Sequence, residues 1–387
     1  MKTILKNILK KILGQKTISF VRRQRYIAPL KYQFFQFYQV RVNYLRLKKT
    51  KFTTTDLSSA QGNRQKPHIL FVTEKWCDCN PEYGTTNSEH NLFGSLEASG
   101  LATQDRFHFD EYFYKNKQPG DRALISKCLE SQPDLLILTW VQFLPYNPSL
   151  ETLKIISQDL KIPIVLILFD SVTEIVTDIS ELLLPLVKLN IVLDSTTACF
   201  TRTRYPEKYL PLWTPQDSRI FNNPHRHRDI PISFLGSLRQ DRRAGLAALK
   251  SAGVEIYHSG GQRENRLSVE KYAEVFQKSK IALNFSRLAI STEDQFKGRT
   301  LETTLCGAML LESENAQTAK WLEPMVDYVP FKDTNDLVEK AKYYLQHDSE
   351  REKIAANGHQ KATQKYTGEM FWKTILDKVL GDTETRP

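Results

Sequence analysis

The stretch Phe296–Ser313, "FKGRTLETTLCGAMLLES", reads as a short helix, a glycine stop at Gly307 and a buried strand, the repeating unit of an α/β fold. Its first turn breaks a local rule. Lys297 and Arg299 flank Gly298 where the helix macrodipole favours Asp or Glu by a few tenths of a kcal/mol up to about 1. An anionic ligand resolves the conflict: Gly298 ends a loop, the first helical amides are free, and the two cations add full charges to partial ones. Glu302 comes one turn below Arg299, where a carboxylate can accept from hydroxyl groups. The plainer alternative is an Arg299–Glu302 surface pair worth about 0.2 to 0.5 kcal/mol.

Outward from this unit, the same grammar runs through "IPISFLGS", "VEIYHSGG", "KIALNFSR" and "DYVPF". The residues just past these strands are alike in kind. Gly236 leads to Ser237 and a run holding Arg239, Arg242 and Arg243; His258 leads to Gly260, Gly261 and Arg263; "IALNF" leads to Ser286 and Arg287. Glycines that admit a ligand to the backbone, with arginines that fork onto phosphate, describe an edge built for an anion.

An earlier series, "HILFVTE", "DLLILTW", "PIVLILFD" and "NIVLDS", alternates with helical segments such as "SEHNLFGSLEASG" and "SLETLKIISQDL". Apolar strands of this kind between helices indicate parallel sheets covered on both faces. A Pro-rich crossing, "YLPLWTPQDSRIFNNPHRHRD", separates the two series. The fold class is therefore α/β, with two Rossmann-like domains facing an interdomain cleft. The segments are expected at 1–65 (basic extension and linker), 66–213, 214–366 and 367–387, the last a terminal helix. Ligands of such sheets sit at the carboxyl ends of the strands.

At 387 residues the chain has room for two such domains. Its net charge of +10 is misleading, because residues 1–51 hold 14 Lys/Arg and no Asp or Glu, leaving 40 basic against 44 acidic residues in the remainder. In "MKTILKNILKKILGQK" the residues Ile4, Leu5, Ile8, Leu9, Ile12 and Leu13 share half a helical wheel and Lys6, Lys10 and Lys11 the other. With the aromatic and basic stretch after it, this segment fits an anionic membrane surface. A transit peptide, a basic arm on nucleic acid without sequence specificity, and a helical hairpin packed on the body are the competing readings. No apolar run reaches the 18 residues of a spanning helix.

The five cysteines, Cys77, Cys79, Cys128, Cys199 and Cys306, form no paired framework and suit a reducing compartment. Cys77-Asp78-Cys79 lacks metal-site spacing. His225 and His227 belong to a basic crossing and read as solvated.

The pieces "FLGSLRQDRR", "GGQ", "VFQKSKIALNFSR", "FKGRTLETTLCGAMLLES" and "LEPMVDYVPFKDTNDLVEKAKYYLQHDSEREKIAANGHQKATQKYT", in that order over residues 230 to 375, resemble the C-terminal domain of GT-B nucleotide-sugar glycosyltransferases, nearest the CgeB-like group. The N-terminal half resembles that group in architecture alone. The resemblance implies a nucleotide-diphosphate sugar held mainly by the second domain, an unidentified acceptor held by the first, and no cofactor or metal. No Asp-x-Asp triplet occurs in the chain. By resemblance, Glu302 grips the ribose. Asp294, eight positions earlier with Glu293 beside it, stands where the family carries a second acid, usually glutamate. Arg242, six positions after Gly236, stands where a lysine is more usual and faces the diphosphate. The helix "GEMFWKTILDKVL" resembles the segment that crosses back to the first domain.

Sugar transfer leaves negative charge on the departing diphosphate. Lys297, Gly298, Arg299, Arg242 and Arg287 are the candidates to bind it, with Arg299 and Asp294 as catalytic candidates. The sequence leaves retention or inversion at the anomeric carbon open; an inverting enzyme needs a base for the acceptor hydroxyl in the first domain, for which His90 comes first, then Glu89 and Asp78. The rival function is a GT-B-shaped binding or scaffold protein without turnover. A dehydrogenase is disfavoured, because no G-x-G-x-x-G comes after a strand. The expected location is cytoplasmic and peripheral on the inner face of a membrane, with no specific nucleic acid partner.

Overall fold

The computed structural model describes residues 64–141, 146–169, 174–193, 203, 205–238, 240–260, 267–287 and 294–381. The basic extension at 1–63, Cys199, Arg239, Gly261, Gln262, Arg263 and Glu293 lie outside the described residues.

Six parallel strands make the first sheet: β1 (His68–Thr73), β2 (Thr103–His108), β3 (Leu135–Thr139), β4 (Ile164–Leu168), β5 (Leu189–Val192) and β6 (Tyr209–Pro211), in the order β2-β1-β3-β4-β5-β6. Its helices are α1 (Ser95–Ser99), α2 (Phe109–Asn116), α3 (Asp121–Ser131), α4 (Leu150–Lys154) and α5 (Glu174–Leu183). The segment read as one helix before Gly100 begins with a π-helical turn, Glu89–Gly94, that runs into α1. Strands β2 and β6 were not among the expected strands. β2, "TQDRFH", is a polar edge strand without a fully buried residue, and β6 has three residues, so neither shows an apolar run.

The second sheet holds β7 (Ile230–Leu235), β8 (Ile256–Ser259), β9 (Ser279–Asn284), β10 (Met309–Ser313) and β11 (Val329–Phe331), ordered β11-β10-β9-β7-β8 and again parallel. Around it lie α6 (Gln240–Ser251), α7 (Val269–Lys278), α8 (Gly298–Leu305), α9 (Thr334–Gln346), α10 (Asp348–Lys365) and α11 (Gly368–Leu380).

Alternation along the strands divides the core. In β1, Ile69 and Phe71 point to one face and Leu70 and Val72 to the other, and all four are fully buried. The Ile69 face belongs to a cluster that continues through Leu212, Trp213 and Phe221 of the crossing into Phe276, Leu301 and Leu305 of the second half. α11 closes that cluster. Phe371, Trp372 and Ile375 are buried in it, Trp372 stands edge-on to Phe71 at 5.6 Å, and its indole Nε1 donates to Ser95 Oγ at 2.8 Å. The helix that ends the second half is thus packed on the first helix of the other.

Arg228, in the crossing, locks two helix ends. Its guanidinium donates to the carbonyls of Phe276, Gln277, Ser279 and Cys306 at 2.8 to 3.2 Å, where α7 and α8 stop and carbonyls run short of helical donors. Gly307 has φ +74, and a Cβ there would meet Asn223 Nδ2 at 2.5 Å, so glycine is required both by conformation and by the crossing packed on it.

Each sheet changes direction once. Between β1 and β3, and again between β7 and β9, the chain leaves to opposite sides, and these are the crevices where open α/β sheets take ligands. The two carboxyl edges meet: Gln295, two residues before Lys297, donates from Nε2 to the carbonyl of Phe169, the residue after β4.

Candidate functional site

The switch point of the second sheet is where α8 begins. Lys297 is the N-cap residue, extended at φ −105 and ψ 144, and no side chain caps the helix; its first turn holds no acid. The partial positive charge at this end of α8 is therefore not answered by a local carboxylate.

Arg299 projects across the switch point. Its Nη1 donates to Asn284 Oδ1 at 2.8 Å, at the end of β9. A Cβ built on Gly236, at the end of β7, would lie 2.9 Å from Arg299 Nη2, which shows how close the guanidinium comes to that backbone. The guanidinium carbon is 5.4 Å from the centre of the Phe234 ring, and that of Arg242 is 5.9 Å from the same ring. Arg242 also donates from Nη1 to Ser237 O at 3.2 Å. Two guanidinium groups thus converge on one aromatic side chain beside a glycine. Arg299 Nε is buried and has no hydrogen-bond partner. A buried donor left unmade is expensive, and donors of this kind mark places where a ligand completes the bonding.

The neighbouring strand end is just as tight. Gly260 has φ +105, and a Cβ there would stand 3.1 Å from Gly236 N, so the β7 and β8 ends approach backbone to backbone. His258 stacks on Phe234 at 5.7 Å and its Nε2 lies 2.9 Å from Gly236 O.

Glu302 and Arg299 do not form the surface ion pair of the plainer alternative; the Tyr272 hydroxyl stands beside both. Glu302 is buried, and Tyr272 of α7 donates its hydroxyl to Oε2 at 2.7 Å. Burial pushes the Glu302 carboxyl above the usual carboxylate range, against the hydroxyl of Tyr272 and the positive charge of Arg299. Burial, and then the Glu302 charge, hold the Tyr272 phenol well above its ordinary value.

Asn284 is itself fixed from behind. Its Nδ2 donates to Thr300 Oγ1 at 3.2 Å, and Thr300 donates to Glu312 Oε2 at 3.1 Å. Glu312 Oε1 accepts from Thr318 at 3.0 Å and Asn315 at 3.3 Å, and Asn315 also donates to Gln295 O at 3.0 Å. This closed, buried network ties the guanidinium of Arg299 to the loop that enters α8.

The other expected residues are more scattered. Asp294 lies beside the segment that follows β9, where Ser286 donates to its Oδ1 at 2.6 Å and its backbone bridges Arg287. Arg287 is exposed. Lys297 Nζ is 3.3 Å from Gln295 Oε1, and a Cβ on Gly298 would lie 3.4 Å from Glu302 Oε1. His90 lies in the π-helical turn with its ring 5.7 Å from Phe221 of the crossing, and Phe221 is 6.3 Å from Tyr272. Glu89 pairs with Arg106 at 3.0 Å, and Asp78 is exposed with φ +52. His225 and His227 are exposed on the crossing. Among the described residues no group of three His, Cys, Asp or Glu side chains is arranged to hold a metal ion, and no helix is long and apolar enough to cross a membrane.

Sequence reading missed Phe234, Tyr272 and Asn284. Asn284 had a signal: an amide closing the buried run "KIALN" needs a partner. Tyr272 had none, since it sits on the apolar side of an amphipathic helix.

Residues 232–377 match a family model described as glycosyl transferase-like. No curated protein matches the chain. Among solved structures the chain is similar to HepE from Anabaena in complex with UDP-glucose, with a TM-score of 0.55 and 12% identity over 83% of this chain and 100% of that one. It is similar to a glycosyltransferase from Rickettsia africae at TM-score 0.56 and 9% identity, over 84% and 100%. Sucrose-phosphate synthase from Thermosynechococcus elongatus gives a TM-score of 0.55 and 12% identity, over 81% and 99%. At such identities the likeness is one of fold: the two parallel sheets stand in the GT-B arrangement.

Proposed function

We propose that this chain is a glycosyltransferase that moves a sugar from a nucleotide-diphosphate sugar to an acceptor, without a metal ion, in cell-envelope or glycoconjugate synthesis. The observation that carries this reading is Arg299, held by Asn284 beside Gly236 and the uncapped start of α8, with a buried guanidinium donor still unpartnered. The glycosyl transferase-like match over residues 232–377 and the UDP-glucose bound by HepE, a protein of the same fold, support it.

In this reading the diphosphate lies at the second sheet's switch point. As the bond from the anomeric carbon to the diphosphate lengthens, negative charge grows on the leaving oxygens and positive charge on the sugar. The amides of α8, Arg299, Arg242 and Lys297 stabilise the leaving group, which is the work a metal ion does in other enzymes. Glu302 takes the ribose hydroxyls in exchange for the Tyr272 hydroxyl it now accepts, and Asp294 orients the sugar. The ordered pieces from "FLGSLRQDRR" onward support a place in the CgeB-like group. The basic segment at 1–51 supports peripheral attachment to an anionic membrane.

The test is a panel of UDP-, GDP- and dTDP-sugars scored by thermal stabilisation. A donor at 100 times its dissociation constant adds about 2.7 kcal/mol. The expected result is a shift with one donor that Arg299→Ala abolishes. A chain that no donor stabilises is a scaffold and not a transferase.

A further inference from the structure

The first sheet presents a second site at its own switch point, between the carboxyl ends of β1 and β3, and there Glu74 comes directly after β1. Thr139, the last residue of β3, donates its hydroxyl to Glu74 Oε2 at 2.6 Å. The residue is half-buried. This is the place in the first sheet that Gly236 and Asn284 occupy in the second: the ends of the two strands that flank the change of direction.

The segment after Glu74 is held as a site would be. Buried Asp110 accepts from the backbone amides of Lys75 at 2.9 Å, Trp76 at 3.1 Å and Glu111 at 2.8 Å. Four residues on, Asp78 and Cys79 both adopt left-handed backbone, φ +52 and +54. Consecutive non-glycine residues there are strained by about 1 to 3 kcal/mol each, and strain of this kind gathers at functional sites. Phe169, which accepts from Gln295, comes after β4, next to β3 in the sheet. Two strand spacings, about 10 Å, separate the β1 end from that contact with the entrance to α8.

The geometry points to Glu74 as the group that takes the proton from the acceptor hydroxyl; this rests on the transferase reading above. The acceptor oxygen forms a bond to the anomeric carbon, the bond to the diphosphate breaks with its electron pair on the leaving group, and the hydroxyl proton moves to the Glu74 carboxylate. Three other carboxylates at this edge are already engaged: Glu89 by Arg106, Glu111 by Lys75 and Lys115, and Asp110 by backbone amides. Burial pushes the Glu74 carboxyl up to about 7, and the negative charges of Asp110 and Asp78 add to this. His108 from β2 and the Cys79 thiol also face this end, the first held below and the second above its ordinary value by burial. A carboxyl near neutrality is matched to general base work.

Water can stand in for the unidentified acceptor, so the probe is release of UDP from UDP-glucose, with free UDP titrated in parallel. If UDP-glucose does not bind, the donor that the panel identifies replaces it. The expected wild-type rate rises with pH through about 7, because the base must be ionised. Glu74→Gln is expected to lower the rate about 10²- to 10⁴-fold and remove that limb, with UDP affinity unchanged and partial recovery in Glu74→Asp. Tight UDP binding with a Glu74→Gln rate and pH profile like wild type overturns the assignment and leaves the transferase reading standing. Donor binding with no nucleotide release between pH 5 and 9 overturns it too. Failure of every nucleotide and donor to bind overturns the transferase reading itself.

Discussion

Arg299 Nη1 lies 2.8 Å from Asn284 Oδ1, a bond that joins the first turn of α8 to the end of β9 and aims a cation at the crevice between β7 and β9. Arg299→Ala is expected to fold and to lose about 3 to 4 kcal/mol of barrier lowering, some 10²- to 10³-fold in kcat. Arg299→Lys does not recover the rate, since an ammonium cannot reach Asn284 and an anion in a fixed fork. Asn284→Ala falls between them. Steady-state kinetics with the identified donor checks all three.

Glu74 makes the protein less stable as pH rises. Its folded value, about 7, lies above its ordinary 4.5, so the stability it contributes is fully present below the lower value and lost as pH passes through the upper. Glu74→Gln is therefore expected to be more stable than wild type at pH 8, by on the order of 3 kcal/mol at most before solvent screening reduces it, and to gain little at pH 4.5. Denaturant titrations at the two pH values measure the difference.

Arg228→Met leaves four carbonyls at the ends of α7 and α8 without their charged donor. The expected loss is at least about 3 kcal/mol, because hydrogen bonds to a charged group contribute about 1.5 to 3 kcal/mol each and do not add fully. Thermal unfolding reads this directly, with donor binding weakened because α8 loses its C-terminal anchor.

Trp372→Ala removes the indole that packs on Phe71 and donates to Ser95. A cavity of that size costs about 3 to 5 kcal/mol, and the lost contact is one that ties α11 to α1. Hydrogen exchange is expected to rise in α1 and α11 together, while β9 and β10 keep their protection.

Chelation is expected to leave turnover unchanged. If Arg299, Arg242 and Lys297 carry the leaving-group charge, EDTA does not reduce the rate and added Mg²⁺ does not raise it. A rate that collapses with EDTA and returns with a divalent cation removes the metal-free mechanism.

Much of the fold is legible in the chain itself. Strand runs buried on both faces, such as "LLILT" and "IVLIL", announce themselves because every residue is apolar, whereas β2 escapes notice because an edge strand needs no such run. Arg299 is legible through the rule it breaks. Glu74 is not: an acid just past a strand is common, and only its hydroxyl partner on β3 and its burial set it apart.

By itself, the sequence determined the alternation of strands and helices, the basic segment at the start and the cationic turn at Lys297–Arg299, because these are local properties of composition and period. The tertiary structure alone decided which strand ends adjoin, and so which groups act as pairs: Arg299 with Asn284, Tyr272 with Glu302, Thr139 with Glu74. Those partners stand 15, 30 and 65 residues apart, and a parallel sheet brings such positions together by crossover order, which no local pattern encodes.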